Sequence, residues 1–275
     1  MIPKVIHYCW FGGNPLPKDA KKYIESWKKY CPDIKIIEWN ESNYNVNCCD
    51  YVKEAYEAKK WAFVSDYARF DILYRYGGLY FDTDVEMIKP IDDILKKGPF
   101  MGIEKTNIQD SNGEVINPGL GLAATPGMGI YKDILSFYNN HNFYNPDGSL
   151  NQTTVVEYTT KILKKYGYKG KNQIQCVDGI YIYPADYFCP MNYQTGEINI
   201  TRNSRTIHHY SSSWLTDEEK RHRNFEIKVQ KIFGVKIAKI LKDIYSLPYR
   251  IRRKIETKGL IGTIVFSMKK VVKKS

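Results

Sequence analysis

The sequence lacks the long apolar segments that would place a chain in a membrane or direct it out of the cell. No apolar run approaches the roughly 20 residues of a membrane-spanning helix, and the N-terminus has no signal-peptide core. The six cysteines lack the C-x-x-C spacing of a zinc or redox site, and adjacent Cys48 and Cys49 are poor disulfide partners for each other. We therefore expect a globular cytoplasmic protein with reduced thiols.

The positive charge of the chain is confined to its C-terminal part. The formal net charge is +11, yet Gly234–Ser275 hold 12 Lys or Arg against only Asp243 and Glu256, which leaves +1 for residues 1–233. A nucleic-acid-binding domain spreads positive charge over its folded surface, so the distribution disfavours that class. It instead predicts a nearly neutral domain over residues 1–233 and a basic tail over residues 234–275.

Helical and strand-like patterns alternate along the first part, which is typical of an α/β fold with a largely parallel sheet. The apolar content of 43% is enough for a sizeable core. The patterns predict strands at residues 3–11, 34–39 and 180–183, an edge strand at 101–104, and helices at 18–30, 51–61, 129–139 and 153–166.

The most informative stretch is Ala62–Glu86. Its first part has the apolar spacing of a helix, which the paired glycines Gly77 and Gly78 should end. A strand should follow, and its period of two would project Asp82 and Asp84 to the same side. Two carboxylates so close repel each other unless a divalent cation binds to both of them. The stretch therefore predicts a metal site.

Two polar residues on the preceding helix share one face. Asp66 and Arg69 are three residues apart, so a carboxylate and a planar fork of donors could together grip vicinal hydroxyls of a sugar. An ordinary ion pair is the other interpretation, and a bare Asp-x-Asp motif arises by chance in most proteins of this size. The helix, the glycine stop and the apolar strand around the motif favour the metal site.

A second group of candidate residues lies in Thr206–Trp214. Neutral imidazole is a common metal ligand, and neighbouring strand residues point to opposite sides, so one of His208 and His209 can face a metal. The spacing leaves open which of them does so, and a structural role for both is the alternative. The serines and the tryptophan that follow form a polar loop that could close over a diphosphate.

Two motifs carry a resemblance to a known family, Ser65-Asp66-x-x-Arg69 and Tyr76-Gly77-Gly78-x-Tyr80-x-Asp82-x-Asp84. They resemble the sugar-binding, Asp-x-Asp-containing glycosyltransferases of family 32, which are relatives of yeast mannosyltransferases and bacterial capsule-polysaccharide transferases. The stretch is also similar to the catalytic core of the large clostridial glucosylating toxins. The resemblance covers about residues 1–215. It implies a GT-A-type, Rossmann-like fold, in which a mixed, mostly parallel sheet is flanked by helices.

The resemblance also implies roles for individual residues. A tryptophan in a motif like His7-x-x-Trp10-x-Gly12 would stack on the nucleotide base, and the small-residue stretch Val115–Thr125 would lie on the acceptor side or form a tight turn. The implied catalytic residues are Asp66, Arg69, Asp82 and Asp84, the implied ligands of Mn²⁺ or Mg²⁺ are Asp82, Asp84, His208 and His209, and the implied substrate-binding residues are His7, Trp10, Gly12, Ser65, Tyr80, Asn117, Ser212, Ser213 and Trp214.

The implied activity is metal-dependent transfer of a hexose, with retention of configuration, from a nucleotide-diphosphate sugar to a glycan acceptor. UDP-galactose, UDP-glucose or their N-acetyl forms are the expected donors, because the Trp10 motif resembles that of the toxins. A GDP-mannose-dependent mannosyltransferase and a nucleotide-sugar hydrolase are the alternatives. We expect a lipid-linked acceptor, as in the synthesis of capsular polysaccharide, exopolysaccharide or another bacterial surface glycan.

The basic tail resembles an interfacial membrane anchor. Val235, Ile237, Ile240, Leu241 and Ile244 share one helical face, while lysines occupy the other. Each Lys or Arg near an anionic leaflet contributes about 1 kcal/mol to binding. We expect a peripheral protein at the inner face of the cell membrane, with no nucleic-acid partner. A solvated basic helix packed against the domain is the alternative.

Overall fold

The computed structural model describes residues 1–104, 114–151, 153–193, 195–211 and 217–272. These residues form two compact units. The first contains the described residues of Met1–Tyr193 and Glu197–Trp214, and the second consists mainly of those of Leu215–Ser275.

Strands and helices alternate through the first unit, and one long helical segment forms the second. Two helices, the first and the fifth, begin and end where the apolar spacing predicts. In chain order the elements are β1 (Val5–Cys9), α1 (Lys18–Tyr30), β2 (Lys35–Trp39), α2 (Asp50–Glu57), α3 (Trp61–Tyr76), β3 (Gly78–Tyr80), β4 (Val85–Met87), α4 (Asp92–Lys97), β5 (Phe100–Glu104), β6 (Val115–Ile116), β7 (Leu122–Ala124), α5 (Gly129–Asn139), α6 (Val155–Lys165), β8 (Gln175–Val177), β9 (Ile180–Tyr183), α7 (Ala185–Phe188), β10 (Thr206–His208) and α8 (Asp217–Val272).

The main sheet has the strand order β2-β1-β3-β7-β5-β9-β8, with β6 beside β5. On this path β2, β1, β3, β5 and β9 run in one direction, and β7 and β8 run in the other. The predicted α/β fold with a mixed, mostly parallel sheet is therefore confirmed. His7 of β1 lies opposite Tyr80 of β3, so the carboxyl ends of these strands meet at one edge. In open α/β sheets this edge is where ligands bind.

The strand β5 is an interior strand, and its prediction as an edge strand is wrong. It lies between β7, to which it is antiparallel, and β9, to which it is parallel. Four of its five residues are buried, as both neighbours require. A short apolar run is compatible with either position, so only the pairing of distant segments decides between them.

The helix α3 is half-buried and leads directly into β3, one of the two strands at this edge. Half of its 16 residues are buried, and the Phe70 ring lies 5.5 Å from the Tyr131 ring of α5. The helix ends at Gly77, whose φ of 64° lies in the left-handed region. A Cβ there would come within 2.9 Å of the Ala124 carbonyl oxygen. The predicted helix and its glycine stop are both present.

A separate two-stranded ribbon of β4 and β10 lies beside the main sheet. The strands are antiparallel, with His208 opposite Val85. Two hydrogen bonds join the helix α1 to β4. The Trp27 indole donates to the Val85 carbonyl at 2.8 Å, and the Ser26 hydroxyl accepts from the Met87 amide at 2.8 Å. The ribbon thus places His208, which is distant in sequence, opposite Val85, the residue that follows Asp84.

The second unit, α8, is a helical hairpin rather than a straight rod. Gly234 has a φ of 79°, which a continuous right-handed helix does not allow. On either side of it, the Phe225 and Tyr245 rings stack at 4.3 Å, and the His222 and Tyr249 rings lie 5.2 Å apart. Residues before Gly234 therefore pack against residues after it, within the second compact unit. None of the described helices has the length and hydropathy needed to cross a membrane.

Candidate active site

The two aspartates of the central motif lie in a turn. The strand β3 ends at Tyr80, and the Val85 amide donates to the Asp82 carbonyl at 3.0 Å, which closes the turn over the motif. The Asp82 amide in turn pairs with the Gly119 carbonyl at 3.3 Å. The predicted strand through Asp84 is therefore wrong, although the two carboxylates do lie close together.

His208 completes a cluster with these carboxylates. Its Nε2 lies 3.1 Å from Asp84 Oδ1 and 3.9 Å from Asp82 Oδ2. One candidate ligand atom from each of the three residues lies within 4.8 Å of the others. Carboxylate oxygens and an imidazole nitrogen suit Mn²⁺, and carboxylates suit Mg²⁺. The cluster is a candidate metal site, and its donor set fits a divalent cation.

His209 faces away from this cluster. Its Nε2 lies 2.8 Å from Glu86 Oε2, and its ring stacks on the Tyr23 ring with centroids 4.5 Å apart. The two histidines therefore point to opposite sides, as the strand pattern predicts. Of the two candidates that the sequence leaves open, His208 lies with the aspartates and His209 does not.

Arg69 is the buried counter-charge of the cluster. Its guanidinium lies 2.8 Å from Asp66 Oδ1 and 3.2 Å from Asp82 Oδ1, and it stands 4.9 Å from the centre of the Tyr80 ring. The Tyr80 hydroxyl also donates to Asp82 Oδ1 at 3.0 Å. With Asp84 included, three carboxylates and one guanidinium leave two negative charges, which a divalent cation would balance.

The sequence predicts that Asp66 and Arg69 together bind sugar hydroxyls, and the structure shows which bonds this part of α3 makes within the protein. The Arg69 Nε donates to the Ser65 carbonyl at 3.1 Å, so this side chain is bonded inside the protein and orients the two carboxylates. The Ser65 hydroxyl donates to the Trp61 carbonyl at 3.1 Å, within α3. Burial raises the pKa of Asp66 to about 7, although the charge of Arg69 opposes this shift. Contact of Asp66 and Arg69 with a sugar hydroxyl stays a prediction.

The titrations of His208 and Asp84 are linked. Burial lowers the pKa of His208, but the charges of Asp84 and Asp82 outweigh it and raise that pKa to about 10. Burial would raise the pKa of Asp84, but His208 and hydrogen bonds from Ser211 hold it below its usual range. Without a cation His208 is thus protonated at neutral pH. Its contribution to stability is complete below its ordinary pKa of 6.5 and is lost as the pH rises through about 10.

We expect the binding of Mn²⁺ to release about one proton per chain at neutral pH, because a ligating imidazole must be neutral. Calorimetric titration in two buffers with different ionisation enthalpies measures this release. A His208→Asn variant should bind Mn²⁺ more weakly and release no proton. Equal heats in the two buffers for the unmodified protein would contradict the assignment of His208 as a ligand.

Ser211 is a site residue that the sequence pattern does not single out. Its amide and hydroxyl donate to Asp84 Oδ2 at 2.8 and 3.0 Å, and so fix the carboxylate that His208 also contacts. The sequence places Ser211 in the polar loop after β10 but assigns contact with substrate only to the later residues of that loop. The residues predicted to close over the phosphates, Ser212, Ser213 and Trp214, lie outside the described residues.

Gly119 is a second residue of the site that the sequence pattern does not single out. A Cβ at this position would lie 2.2 Å from Asp82 Oδ2 and 3.1 Å from Asn117 Oδ1. The small-residue stretch thus allows backbone to approach the candidate metal site, and its predicted place on the acceptor side stays a prediction. Asn117 itself is buried, accepts from the Gly119 amide at 2.7 Å and donates to Glu104 at 2.9 Å. Asn117 thus holds this turn, and its predicted contact with substrate stays a prediction.

We expect Gly119→Ala to weaken Mn²⁺ binding by about 10- to 100-fold, the effect typical of residues that orient metal ligands. The added methyl group must displace the Asp82 carboxylate, because Asp82 Oδ2 would lie only 2.2 Å from the new Cβ. Gly129→Ala is the matched control, since no atom lies within 4 Å of the Cβ it would add. Equal Mn²⁺ affinity of the two variants would contradict the crowding at Asp82.

Trp10 and Gly12 lie just beyond the carboxyl end of β1. Trp10 is partly exposed, and its indole donates to the Asn14 carbonyl at 2.6 Å. Gly12 has a φ of 97°, and a Cβ there would lie 2.5 Å from the Trp61 indole. Only glycine fits this position, and Trp61 is a neighbour that the sequence does not reveal. Base stacking on Trp10 stays a prediction.

His7 is a core residue whose two ring nitrogens face other parts of the protein, and its predicted contact with the nucleotide stays a prediction. The side chain is buried, its Nε2 lies 3.1 Å from the Gly77 carbonyl oxygen, and its Nδ1 accepts from the Trp39 indole at 3.0 Å. Burial lowers the pKa of His7 to about 4, so the ring is neutral and uses both nitrogens inside the protein. His7 holds β1, β2 and the end of α3 together.

Comparison with known proteins identifies the class of this chain. It is 27% identical over 202 residues to a glycosyltransferase of Acanthamoeba polyphaga mimivirus, a match that covers 70% of this chain and 77% of the viral one. It is 32% identical over 111 residues to inositol phosphoceramide mannosyltransferase 1 of Schizosaccharomyces pombe, which covers 36% of this chain and 33% of the yeast one. The chain therefore spans about a third of that yeast protein.

Two solved structures also match. The PaToxG glycosyltransferase has a TM-score of 0.44 and 16% identity, with coverage of 60% of this chain and 69% of that chain. A glycosyltransferase involved in glycosylation of the major capsid of PBCV-1 has a TM-score of 0.42 and 14% identity, with coverage of 81% and 99%.

The protein is a glycosyltransferase, as its motifs predict. Residues 17–101 match the family described as glycosyltransferase sugar-binding region containing DXD motif. This range includes Asp66, Arg69, Asp82 and Asp84. The part of the chain that carries these motifs therefore matches this Asp-x-Asp-containing family, and the predicted resemblance is confirmed.

Proposed function

We propose that the protein is a metal-dependent hexosyltransferase that uses a nucleotide-diphosphate sugar and retains the configuration of the transferred sugar. The observation that carries the proposal is the cluster of Asp82, Asp84 and His208, with ligand atoms within 4.8 Å of one another. Mn²⁺ or Mg²⁺ held by these residues would neutralise the charge that develops on the diphosphate as it leaves.

The residues around the cluster hold the two aspartates in place before any substrate arrives. Ser211 donates twice to Asp84, while Tyr80 and Arg69 both contact Asp82. Charge stabilisation by groups already in position needs no reorganisation during the reaction. This supports a catalytic use of the cluster over a purely structural one.

The remaining candidate residues receive the roles that their positions permit. Asp66 would accept a hydrogen bond from a hydroxyl of the donor sugar, and Trp10, at the same sheet edge, would stack on the base. Ser212, Ser213 and Trp214 would close over the phosphates and exclude water, which otherwise hydrolyses the donor.

Retention is proposed to proceed by front-face transfer. The bond between the anomeric carbon and the leaving phosphate oxygen breaks, the acceptor oxygen bonds to that carbon on the same face, and the acceptor proton passes to the leaving phosphate. In the described part of the site Asp66, Asp82 and Asp84 are all held by ion pairs, which disfavours any of them as a covalent nucleophile. A glycosyl-enzyme trapped on Asp or Glu and detected by mass spectrometry would overturn this route.

A UDP-hexose is the proposed donor, and mannosyl transfer from GDP-mannose is the second candidate. The first rests on the resemblance of the Trp10 motif to the toxin cores. The second is favoured by two relatives named inositol phosphoceramide mannosyltransferases, at 32% and 28% identity over about a third of this chain.

The proposed acceptor is a lipid-linked glycan at the cytoplasmic face of the membrane, as in the assembly of capsular or other surface polysaccharides. The basic tail supports this placement, since Gly234–Ser275 carry 12 Lys or Arg against two acids. The yeast relatives bear names in which the acceptor is a lipid, which is consistent with it.

A panel of UDP- and GDP-sugars, assayed for release of the nucleoside diphosphate with Mn²⁺ or with EDTA, tests the proposal. We expect turnover of one donor class, loss of that turnover with EDTA, and acceleration by a lipid-linked or simple glycoside acceptor. Release of free sugar at the same rate with and without acceptor would establish a hydrolase instead. Full turnover in EDTA would contradict the metal-dependent reaction.

A further inference from the structure

The hairpin of α8 exposes a row of apolar side chains after its turn. Five residues at alternating spacings of three and four are between 46 and 63% exposed. Such spacing keeps side chains on one face of a helix. Contiguous exposed apolar surface of this kind marks an interaction site in a soluble protein. We name these residues the apolar row: Ile237, Ile240, Ile244, Leu247 and Ile251.

The apolar row lies on the face of the helix that the hairpin does not use. Residues that face the first half of the hairpin are the buried Ala238 and Ser246, with Tyr245 and Tyr249, whose rings contact Phe225 and His222. At about 100° per residue these positions lie roughly half a turn away from the apolar row. Other side chains therefore hold the two halves of the hairpin together, and the apolar row takes no part in that contact.

The charge of the tail indicates what covers the apolar row. Gly234–Ser275 hold 12 Lys or Arg against two acids, and Lys239, within the apolar row's span, is exposed. A second copy would bring an equally basic tail against the first, so like charges oppose pairing of two rows. A nucleic acid would use the charge but not the isoleucines. An anionic lipid surface uses both, because basic side chains meet the headgroups and apolar ones enter the acyl boundary.

We propose that the apolar row docks on an anionic lipid surface, with the second half of the α8 hairpin lying in the plane of the membrane. Ile232 and Phe233, 73 and 55% exposed just before the turn, extend the same apolar surface toward the hairpin tip. The docking does not depend on glycosyl transfer, so it stands or falls apart from the proposed reaction.

The test is co-sedimentation of the full chain with vesicles of phosphatidylcholine alone and with vesicles that also contain phosphatidylglycerol, at physiological ionic strength. We expect binding only to the anionic vesicles. The Ile240→Ser/Ile244→Ser double variant should bind at least about 100-fold more weakly, since two buried isoleucines are lost from the contact. Ile198→Ser/Ile200→Ser is the matched control, because these isoleucines are 45 and 54% exposed in the first unit. The control should bind like the unmodified protein.

Three results would overturn the proposal. Equal binding to both kinds of vesicle would remove the role of charge, and equal binding of the two double variants would remove the role of the apolar row. A dimer in analytical ultracentrifugation that the Ile240→Ser/Ile244→Ser variant dissociates, without vesicle binding, would make a second copy the occupant. Far-UV circular dichroism shows that each variant is folded, and donor turnover in solution should be unchanged in both.

Discussion

An Asp84→Asn variant should lose more than about 100-fold of kcat with the preferred donor, because changes to residues that merely orient metal ligands already cost about 10- to 100-fold. Asp84 is in direct contact with His208 and receives both hydrogen bonds from Ser211. Its amide analogue can still accept from Ser211 but no longer supplies the charge that a cation needs. Initial rates at saturating donor and Mn²⁺, together with Mn²⁺ affinity, measure the loss.

Asp178→Asn is the matched control for this variant. Asp178 is exposed and has a φ of 49°, a conformation that asparagine also adopts. The control should keep the rate and the Mn²⁺ affinity of the unmodified protein. If Asp84→Asn bound Mn²⁺ as tightly as this control, the Asp-x-Asp cluster would not be the metal site.

An Arg69→Met variant should lose both stability and activity. The guanidinium is nearly inaccessible and pairs with Asp66 and Asp82, so its removal leaves two carboxylates without their counter-charge. Breaking a buried ion pair by removing one partner costs about 3–5 kcal/mol. For a protein of this size that loss lowers the Tm by about 6–20 °C, which calorimetry detects.

Arg75→Met provides the comparison on the same helix. Arg75 pairs with Asp71 at 2.5 Å, but its side chain is 43% exposed, so water replaces the lost contact. Exposed pairs of this kind are worth about 0–1 kcal/mol. Equal Tm changes for the two variants would show that Arg69 is not the buried counter-charge of the cluster.

The helices and the composition of the site follow from the sequence, because their signals are local. The apolar spacing gives the bounds of α1 and α5, and Gly77 ends α3 where its φ of 64° requires glycine. The residues of the candidate metal site could also be predicted, since Asp82 and Asp84 form one motif and a histidine pair follows in another. In both cases a few neighbouring residues carry the information.

What the sequence misses depends on contacts between distant segments. The turn over Asp82 is fixed by Gly119, whose carbonyl pairs with the Asp82 amide and whose missing side chain makes room for the carboxylate. The choice of His208 follows from the register of β10 against β4. His7 resembles a nucleotide contact in the motif but satisfies both of its nitrogens with Gly77 and Trp39.

The C-terminal segment shows the same limit. Its helical pattern is confirmed, but the sequence does not predict that the helix folds back on itself. A single positive φ at Gly234 and the ring contacts across it convert one helical pattern into a hairpin. Periodicity reports which residues share a face, whereas the partner of each face must be read from the structure.

The most direct test of the metal centre is electron paramagnetic resonance of Mn²⁺ titrated into the protein, with and without UDP or GDP. We expect about one bound Mn²⁺ per chain, held more tightly when the preferred nucleoside diphosphate is present, since a ligand that shares the ion raises its affinity. Asp84→Asn and His208→Asn should each weaken this binding, and Asp178→Asn should not. Absence of bound Mn²⁺ in the folded protein, with either nucleotide present, would contradict a metal site at Asp82, Asp84 and His208.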